Sequence, residues 1–437
     1  MNHRIRVRLG VAAAAIAAAL VFLLAGAASL GAGGQREAGE GSAVNGTAAE
    51  RNGVPGSVEP DRGSRQMRRL ASVGAGLSTR GGTAVPVELP EKYQDQTPPA
   101  GHRQFSTDFS RAAVSYEEII AGGPPKDGIP AIDRPRFEPA ADADAWLGPD
   151  EAVIAVTADG ETHLYPLQIL MWHEIVNDTV GSTPLTVTYC PLCNTGIVFE
   201  RTFDGQLMDF GVSGMLIYSN MIMYDRQTET WWVQATGRGI AGEHAGQQLA
   251  FYPSTLIPWR EARTLYPQAR VLSRHTGHRR DYGRNPYGGY DRAARPFLYR
   301  GPDVVSAQEN PMTRVLSVYH EDKVIAFDFP LLQEERIVEQ TVGGASIVVF
   351  WEPGTASALD SATVGGGRDV GTANAFYPVV NGRVLRFEYH EGQIIDTDTG
   401  SRWNVAGHAV SGRLQGARME PALSVHHFLF SWRAFHP

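Results

Sequence analysis

Cysteine is nearly absent from this chain. Only two of its 437 residues are cysteines, and both lie in the run of residues 188–195, TYCPLCNT. A pair confined to one Cys-Pro-Leu-Cys turn limits the use of sulfur to a local disulfide, a redox couple or part of a metal site. The surroundings of Cys190 and Cys193 are therefore the main question that the sequence poses about function.

Positive charge and several catalytic motifs are also lacking. Lys and Arg total 39 against 47 Asp and Glu, which gives a net charge of −8, and no basic stripe carries interleaved aromatic residues. Nucleic-acid binding depends on such a basic surface, so a nucleic-acid partner is excluded. The sequence has no Gly-x-Ser-x-Gly elbow, Walker loop or dinucleotide fingerprint in a suitable context, and none of the enzyme classes defined by those motifs is predicted.

The N-terminus has the pattern of an export signal. Three arginines and His3 precede residue 9, and no charge then occurs until Arg36. The apolar run from residue 11 to 30 is long enough to span a bilayer, so residues 1–34 are predicted to be a signal or membrane anchor. Residues 35–100, rich in Gly, Ala, Ser and Arg, are predicted to be a disordered tether. We favour an uncleaved single anchor with the folded part at the extracytoplasmic face of the cell envelope, and secretion after cleavage is the alternative.

The remainder of the chain is predicted to be mainly β with short helices, a β-rich α+β fold. The 48 glycines and 27 prolines indicate many turns. Residues 185–189 alternate between large apolar side chains and threonines, the pattern of a half-buried strand. Short helices are predicted over residues 166–178 and 258–266, because each begins at a proline suited to a first helical turn.

An internal duplication is the main organisational signal. Residues 152–267 and 314–437 carry the same short motifs in the same order. Matching pairs include Ile175 with Ile337, Val176 with Val338, Asp225 with Asp396, and Trp232 with Trp403. We therefore predict two related lobes packed as a pseudo-symmetric pair. The first lobe, with the cysteine site and an inter-lobe loop, covers residues 101–300, and a second, degenerate lobe covers residues 301–437.

The two halves act as an internal control for function, because residues that only build the fold should occur in both. His173, Cys190 and Cys193 do not recur in the second half. Counted along the matched motifs, their counterparts are Glu335, about Phe350 and about Pro353. A helix, a turn and a returning strand can bring the imidazole beside the two sulfurs. The sequence therefore predicts a site formed by His173, Cys190 and Cys193.

Three hypotheses follow for that site, and whether the protein is an enzyme stays open. The first is binding of a soft or borderline metal, zinc, copper or iron, for redox chemistry or metal handling, with an open fourth position and no assigned fourth ligand. The second is a thiol–disulfide oxidoreductase in which His173 helps to lower the thiol pKa of the Cys190–Cys193 pair. The third is a non-enzymatic cell-envelope binding module in which the pair is a structural disulfide.

A basic and aromatic loop, residues 274–287, separates the halves. We interpret it as a solvated linker, with anion binding or coverage of a site as the alternatives. Small-molecule and protein partners are unknown, and the membrane is the one partner that the N-terminal segment implies.

Several longer motifs resemble the uncharacterised family called domain of unknown function 3179. They are residues 172–178 (WHEIVND), 188–194 (TYCPLCN), 210–214 (FGVSG), 223–228 (MYDRQT), 282–287 (YGRNPY), 357–360 (SALD), 368–371 (RDVG) and 430–437 (FSWRAFHP). The resemblance extends from about residue 105 to the end of the chain. It implies an exported or membrane-associated prokaryotic protein and no established reaction.

Overall fold

The structure is a computed structural model that describes residues 81–436. The predicted anchor, residues 1–34, and residues 35–80 of the predicted tether lie outside the described residues. Residues 81–100 of that tether lie against the first half: Val85 N–H donates to Gln247 Oε1 at 3.0 Å, and Gln247 Nε2 donates to Val85 O at 2.7 Å. None of the helices between residues 81 and 436 is long and apolar enough to span a bilayer.

Strands dominate the described residues, and the helices are short, so the predicted fold class is confirmed. The elements up to the end of the first half are β1 (Ile119–Ala121), β2 (Phe137–Pro139), α1 (Ala140–Ala143), β3 (Ala152–Ala158), β4 (Glu161–Pro166), α2 (Leu167–His173), β5 (Ile175–Val180), β6 (Thr183–Cys190), β7 (Thr195–Glu200), β8 (Thr202–Phe203), β9 (Gln206–Leu207), β10 (Phe210–Ile217), β11 (Asn220–Asp225), β12 (Trp231–Val233), β13 (Arg238–Ala241), β14 (Phe251–Tyr252), β15 (Thr255–Pro258), α3 (Trp259–Leu265) and β16 (Arg270–Leu272).

The second half contains a similar series of short elements. They are β17 (Arg314–His320), β18 (Lys323–Asp328), α4 (Phe329–Glu335), β19 (Ile337–Val342), β20 (Ala345–Glu352), β21 (Thr372–Tyr377), β22 (Val379–Val380), β23 (Arg383–Val384), β24 (Phe387–His390), β25 (Gln393–Asp396), β26 (Arg402–Trp403), β27 (Ala409–Ser411), β28 (Glu420–Pro421), β29 (Ser424–Phe428) and α5 (Leu429–Phe435). Single turns of 3-10 helix lie at Glu91–Tyr93, His102–Gln104, Tyr116–Glu118, Tyr290–Arg292 and Val364–Gly366.

Helix α2 is shorter than the predicted helix over residues 166–178. It ends at His173 because Glu174 adopts a left-handed backbone conformation, with φ 58°. The chain then continues directly as β5, where the β-branched Ile175 and Val176 favour an extended backbone. This tight exit places His173 and Glu174 at the junction of a helix and a strand. Helix α3 (Trp259–Leu265) closely matches the second predicted helix.

The two halves contain the same kinds of element in the same order. Each half begins with a hairpin, β3–β4 or β17–β18, followed by a short helix, α2 or α4, and a three-stranded meander, β5–β7 or β19–β21. Two further hairpins come later, and each half ends with a strand and a helix, β15 and α3 or β29 and α5. Their strand registers also agree, since Ile175 lies opposite Thr188 in the first half and Ile337 lies opposite Phe350 in the second. A buried aspartate accepts a hydrogen bond from a tryptophan indole in each half, at 2.9 Å for Asp225 and 3.0 Å for Asp396. Descent from a duplicated gene stays a prediction.

These registers correct the pairing of the halves that the sequence motifs predicted. Thr188, not Cys190, matches Phe350, and the counterpart of Cys190 is Glu352. The counterpart predicted from the motifs was therefore wrong by two residues, because Cys190 and Glu352 each lie 15 residues after the shared isoleucine, Ile175 or Ile337. Beyond this position the halves differ in length. Four residues, 191–194, connect β6 to β7, whereas residues 353–371 connect β20 to β21.

The cysteine turn lies where the two halves meet. Phe428 N–H, at the end of β29, donates to Cys193 O at 2.8 Å. A further contact joins β15 to β21, where Leu256 N–H donates to Asn374 Oδ1 at 3.0 Å. Both cysteines belong to a buried apolar cluster that also contains Phe428 and Val425 of the second half. The pseudo-symmetric arrangement of the lobes stays a prediction, but the contact between the halves holds the turn in place.

Candidate thiol and carboxyl site

Cys190 and Cys193 flank a tight turn at the end of β6. Cys193 N–H donates to Cys190 O at 3.2 Å, and Asn194 N–H donates to Pro191 O at 3.2 Å. Only 2% of Cys190 and none of Cys193 is exposed. Both are free thiols, so the structural disulfide of the third hypothesis is not supported. The turn delivers two sulfur atoms into the core at the junction of the halves.

The thiol of Cys190 is held in its protonated form. Burial raises its pKa well above the ordinary value, and a hydrogen bond with Cys193 raises it further. Cys190 Sγ also lies 3.7 Å from Ser219 O, which can only accept a hydrogen bond. The lowered thiol pKa expected under the second hypothesis is therefore wrong, because burial in this apolar setting disfavours the charged thiolate.

His173 does not complete a site with the two thiols. Both of its ring nitrogens are already engaged: Nδ1 lies 2.8 Å from Pro130 O, and Nε2 lies 2.6 Å from the Tyr282 hydroxyl. Because a carbonyl only accepts, Nδ1 carries the hydrogen and Nε2 accepts from Tyr282. Burial, with help from the charges of His278 and Arg280, lowers the pKa of His173 to about 4.

The predicted His173/Cys190/Cys193 metal centre is therefore not supported. Between residues 81 and 436, no group of three or more His, Cys, Asp or Glu side chains is arranged to hold a metal ion. The sequence placed His173 correctly at the end of a helix. It could not show that the imidazole is directed to Pro130 and Tyr282.

Glu174, the next residue, takes the place beside Cys190 that His173 was predicted to occupy. Its carboxyl group is buried, with 6% of the residue exposed. Burial raises the pKa of Glu174 well above its ordinary value, the neighbouring Cys190 raises it further, and a hydrogen bond from the Tyr287 hydroxyl opposes the rise. No positively charged side chain of the described residues acts on this carboxyl. Burial therefore favours the protonated form of both the Glu174 carboxyl and the neighbouring Cys190 thiol.

The sequence motifs left the fourth ligand unassigned and did not single out Glu174. A signal for it was present, because its matched residue in the second half, Arg336, has the opposite charge. Both residues have a left-handed backbone, with φ 58° and 65°, so this conformation belongs to the fold and not to the chemistry. In both halves the carbonyl at this position accepts a strand N–H, from Tyr189 at 2.8 Å and from Trp351 at 2.9 Å.

Three tyrosines of one segment, residues 282–290, cover the site; we call it the tyrosine segment. Tyr282 donates to His173, Tyr287 donates to the Glu174 carboxyl, and Tyr290 donates to Leu192 O at 2.9 Å, within the cysteine turn. The interpretation of residues 274–287 as a solvated linker is therefore wrong for their C-terminal part. The sequence could not show this, because each tyrosine contacts a partner about a hundred residues away.

The second half holds the tyrosine segment in place through a buried ionic network. Asp291, whose side chain is 1% exposed, pairs with Arg314 at 3.2 Å and with Arg368 at 2.9 Å. It also accepts a hydrogen bond from Ser357 at 2.5 Å. Ser357 and Arg368 belong to the longer connection of the second half, residues 353–371. That connection therefore helps to cover the site of the first half.

The fold and the site together define a mainly β protein with a covered thiol and carboxyl cluster between two similar halves. A family profile described as "Protein of unknown function (DUF3179)" matches residues 126–437. The chain belongs to this family, as its motifs predicted. No curated protein and no solved structure matches the chain.

Proposed function

We propose that this protein performs thiol–disulfide exchange through Cys190 and Cys193, with Glu174 as the group that supplies and recovers a proton. The observation that carries the proposal is the buried Glu174 carboxyl beside the Cys190 thiol, with no positive charge acting on it. A buried carboxyl with a raised pKa is a suitable general acid near neutral pH. The two free thiols, at the ends of one turn, form the reduced state of such a centre.

The proposed reaction is the oxidation of a partner dithiol by the Cys190–Cys193 disulfide. A partner thiolate attacks Cys193 Sγ, the bond to Cys190 breaks, and Cys190 leaves as a thiolate that takes the Glu174 proton. A second partner thiolate then attacks the partner sulfur in the mixed disulfide and releases Cys193, which takes a proton from water. Two electrons pass from the partner to the protein, one disulfide breaks and one forms. Glu174 regains its proton from water.

Two further conditions belong to the proposal. The tyrosine segment must move, because neither sulfur can be reached while Tyr287 and Tyr290 cover the turn. The reaction also fits the predicted location of a tethered protein at the extracytoplasmic face of the cell envelope, where disulfides form and persist. Metal binding by the two thiols alone is an alternative use of the same turn, and the experiment below includes it.

The test is a redox titration of the purified full chain in glutathione buffers of stepped ratio. Samples are quenched with acid, alkylated and examined by mass spectrometry for a Cys190–Cys193 disulfide, and bound metal is measured on the same preparation. We expect a reversible two-electron transition in the folded protein and no stoichiometric metal. Replacing Cys190 with Ser is expected to trap glutathione on Cys193.

The role of Glu174 is tested by exchange rates. We expect Glu174→Gln to slow disulfide reduction by about 100-fold at neutral pH, within the usual range for loss of a general acid. Glu352→Gln, the change at the second-half counterpart of Cys190, removes a buried carboxyl outside the site and is expected to leave the rate unchanged. A dithiol that stays reduced in fully oxidising buffer, or a Glu174→Gln protein with the original rate, would overturn the proposal.

A further inference from the structure

We propose that a cleft next to His173 binds a soluble phosphate-type oxyanion. The cleft has about 470 Å³ of open space and is lined by Arg134, Pro135, Arg136, Thr276 and Gly277. This volume lies within the usual range for small-molecule sites. The inference does not depend on thiol–disulfide exchange, because none of these residues contacts the cysteine turn.

The two arginines that line the cleft have no partners of their own. Within residues 81–436, neither the Arg134 nor the Arg136 guanidinium makes a hydrogen bond or an ion pair. The adjacent carboxylate, Asp133, is paired instead with Arg226 at 3.3 Å. The next one along the chain, Glu138, accepts from Trp146 Nε1 and Ser273 Oγ, both at 2.6 Å. Two unpaired guanidinium groups therefore face one open space, in a chain whose net charge is −8.

The opposite wall of the cleft adds a free donor. Gly277 has φ 88° and makes no hydrogen bond within the described part of the chain, so its N–H is available. A side chain is disfavoured at this φ, which leaves the backbone open to a close approach by a ligand.

Thr276 connects the cleft to the interior. Its hydroxyl lies 2.6 Å from the Tyr282 hydroxyl, which lies 2.6 Å from His173 Nε2. Tyr282 donates its hydroxyl hydrogen to His173, so Thr276 must donate to the Tyr282 oxygen, and both hydrogen bonds run towards His173. These two hydrogen bonds hold in place the loop that contains Gly277.

A phosphate group suits this set of donors. Guanidinium groups bind phosphate oxygens in a planar, two-point geometry, and two such cations balance the charge of a phosphate dianion. Inorganic phosphate, a soluble phosphomonoester and a lipid headgroup share this chemistry. We favour the soluble forms, because the cleft is bounded by a loop on one side and by residues 134–136 on the other.

The test is calorimetric titration of the full chain with inorganic phosphate and with glycerol phosphate, and co-sedimentation with vesicles of phosphatidylglycerol. We expect saturable binding of one soluble anion per chain. Arg134→Gln and Arg136→Gln are each expected to weaken the affinity by about tenfold, the usual effect of losing a charged hydrogen bond. Arg383→Gln, on the exposed β22–β23 hairpin, is the control and should bind like the original protein.

Both cleft arginines are exposed, so replacing them is expected to leave the fold intact. Thermal unfolding will confirm that the variants fold. Saturable binding that survives in the double variant Arg134→Gln/Arg136→Gln would overturn the proposal, as would the lack of any saturable binding. Lack of binding to either soluble anion, with vesicle binding that the double variant loses, would also overturn it in favour of a lipid headgroup, because the predicted anchor alone would bind vesicles in both proteins.

Discussion

The two halves of this protein place different chemistry at matching positions after their first helix. In the first half, Glu174 and Cys190 are two buried acids whose pKa values are both raised. In the second half the same positions hold a base and an acid, Arg336 and Glu352. The Arg336 guanidinium lies over the Trp351 ring at 4.5 Å, and its charge partly opposes the rise that burial causes in the pKa of Glu352. At these positions the strand registers and the left-handed backbone agree in the two halves, so the difference lies in the side chains.

This difference separates what the fold needs from what the site needs. In the second half, the charges of the cation and the carboxyl partly neutralise one another, so a structural role is enough to explain this pair. Two protonated acids with no cation gain nothing electrostatically from their contact, and burying them costs free energy. The second half has Glu352 in place of the thiol, and its residues 353–371 help to hold the tyrosine segment over the site. The thiol and carboxyl cluster belongs to the first half, and the second half helps to enclose it.

The largest effect is expected from giving the first half the charges of the second. Glu174→Arg places a guanidinium in a buried position without a carboxylate, and we expect a loss of about 4 kcal/mol in the free energy of unfolding. Adding Cys190→Glu recreates the second-half pair and should recover at least about 1 kcal/mol relative to the sum of the single changes. Urea denaturation of the four proteins measures this coupling. Strict additivity would show that positions 174 and 190 do not interact.

A smaller effect on stability is expected from truncating His173, and the same change at its exposed second-half counterpart, Glu335, provides the comparison. His173→Ala leaves Pro130 O and the Tyr282 hydroxyl without a partner and opens a cavity, so we expect a loss of about 3 kcal/mol. Glu335→Ala changes an exposed residue and should alter stability by less than about 0.5 kcal/mol. Thermal and urea unfolding of both variants give the comparison. Equal losses would contradict the assigned hydrogen bonds of His173.

The smallest effect concerns the pH dependence of stability. Burial is the main cause that raises the pKa of Glu352 from 4.5 to about 7, and the charge of Glu261 adds to it. The native state therefore binds this proton more tightly than the unfolded chain does. The resulting stability is fully present below about pH 4.5 and is lost as the pH rises towards 7.

Glu352→Gln should remove a pH-dependent contribution of about 2 kcal/mol, after a reduction for partial exposure. The measurement is the difference in unfolding free energy between the two proteins across that pH range. Glu174→Gln should remove a contribution of the same sign. A flat difference for Glu352→Gln would show that the pKa of this carboxyl is the same in the folded and unfolded states.

Sequence patterns predicted the elements well and the contacts poorly. The alternation in residues 185–189 correctly predicted β6, but Thr186 and Thr188 are fully buried, so the strand is not half exposed. Alternation reports which side chains are apolar, and it does not report that Gln234 lies across the sheet to pair with Thr188 at 2.9 Å. The residue types of a strand can be read from its own sequence, whereas the side chains that bury it come from segments far away in the sequence.

The candidate site shows the same division. The rarity of cysteine and the comparison of the halves directed attention to the Cys190 turn, and its role as a functional site stays a prediction. The sequence did not show that His173 is directed to Pro130 and Tyr282, because neighbouring residues at a helix end point in different directions and the left-handed turn at Glu174 was not predicted. The tyrosine segment was missed, because contacts between residues 282–290 and the site depend on how the halves pack.

The most direct test of the account is the protonation state of Glu174 in the reduced protein. NMR of labelled glutamate carboxyl groups, with Glu174→Gln for assignment, follows this group through a pH titration before and after oxidation of the thiols. The account predicts a carboxyl that is protonated at neutral pH in the dithiol form and whose pKa changes when the Cys190–Cys193 disulfide forms. A Glu174 carboxyl that titrates at its ordinary value of 4.5, and that does not respond to oxidation, would contradict it.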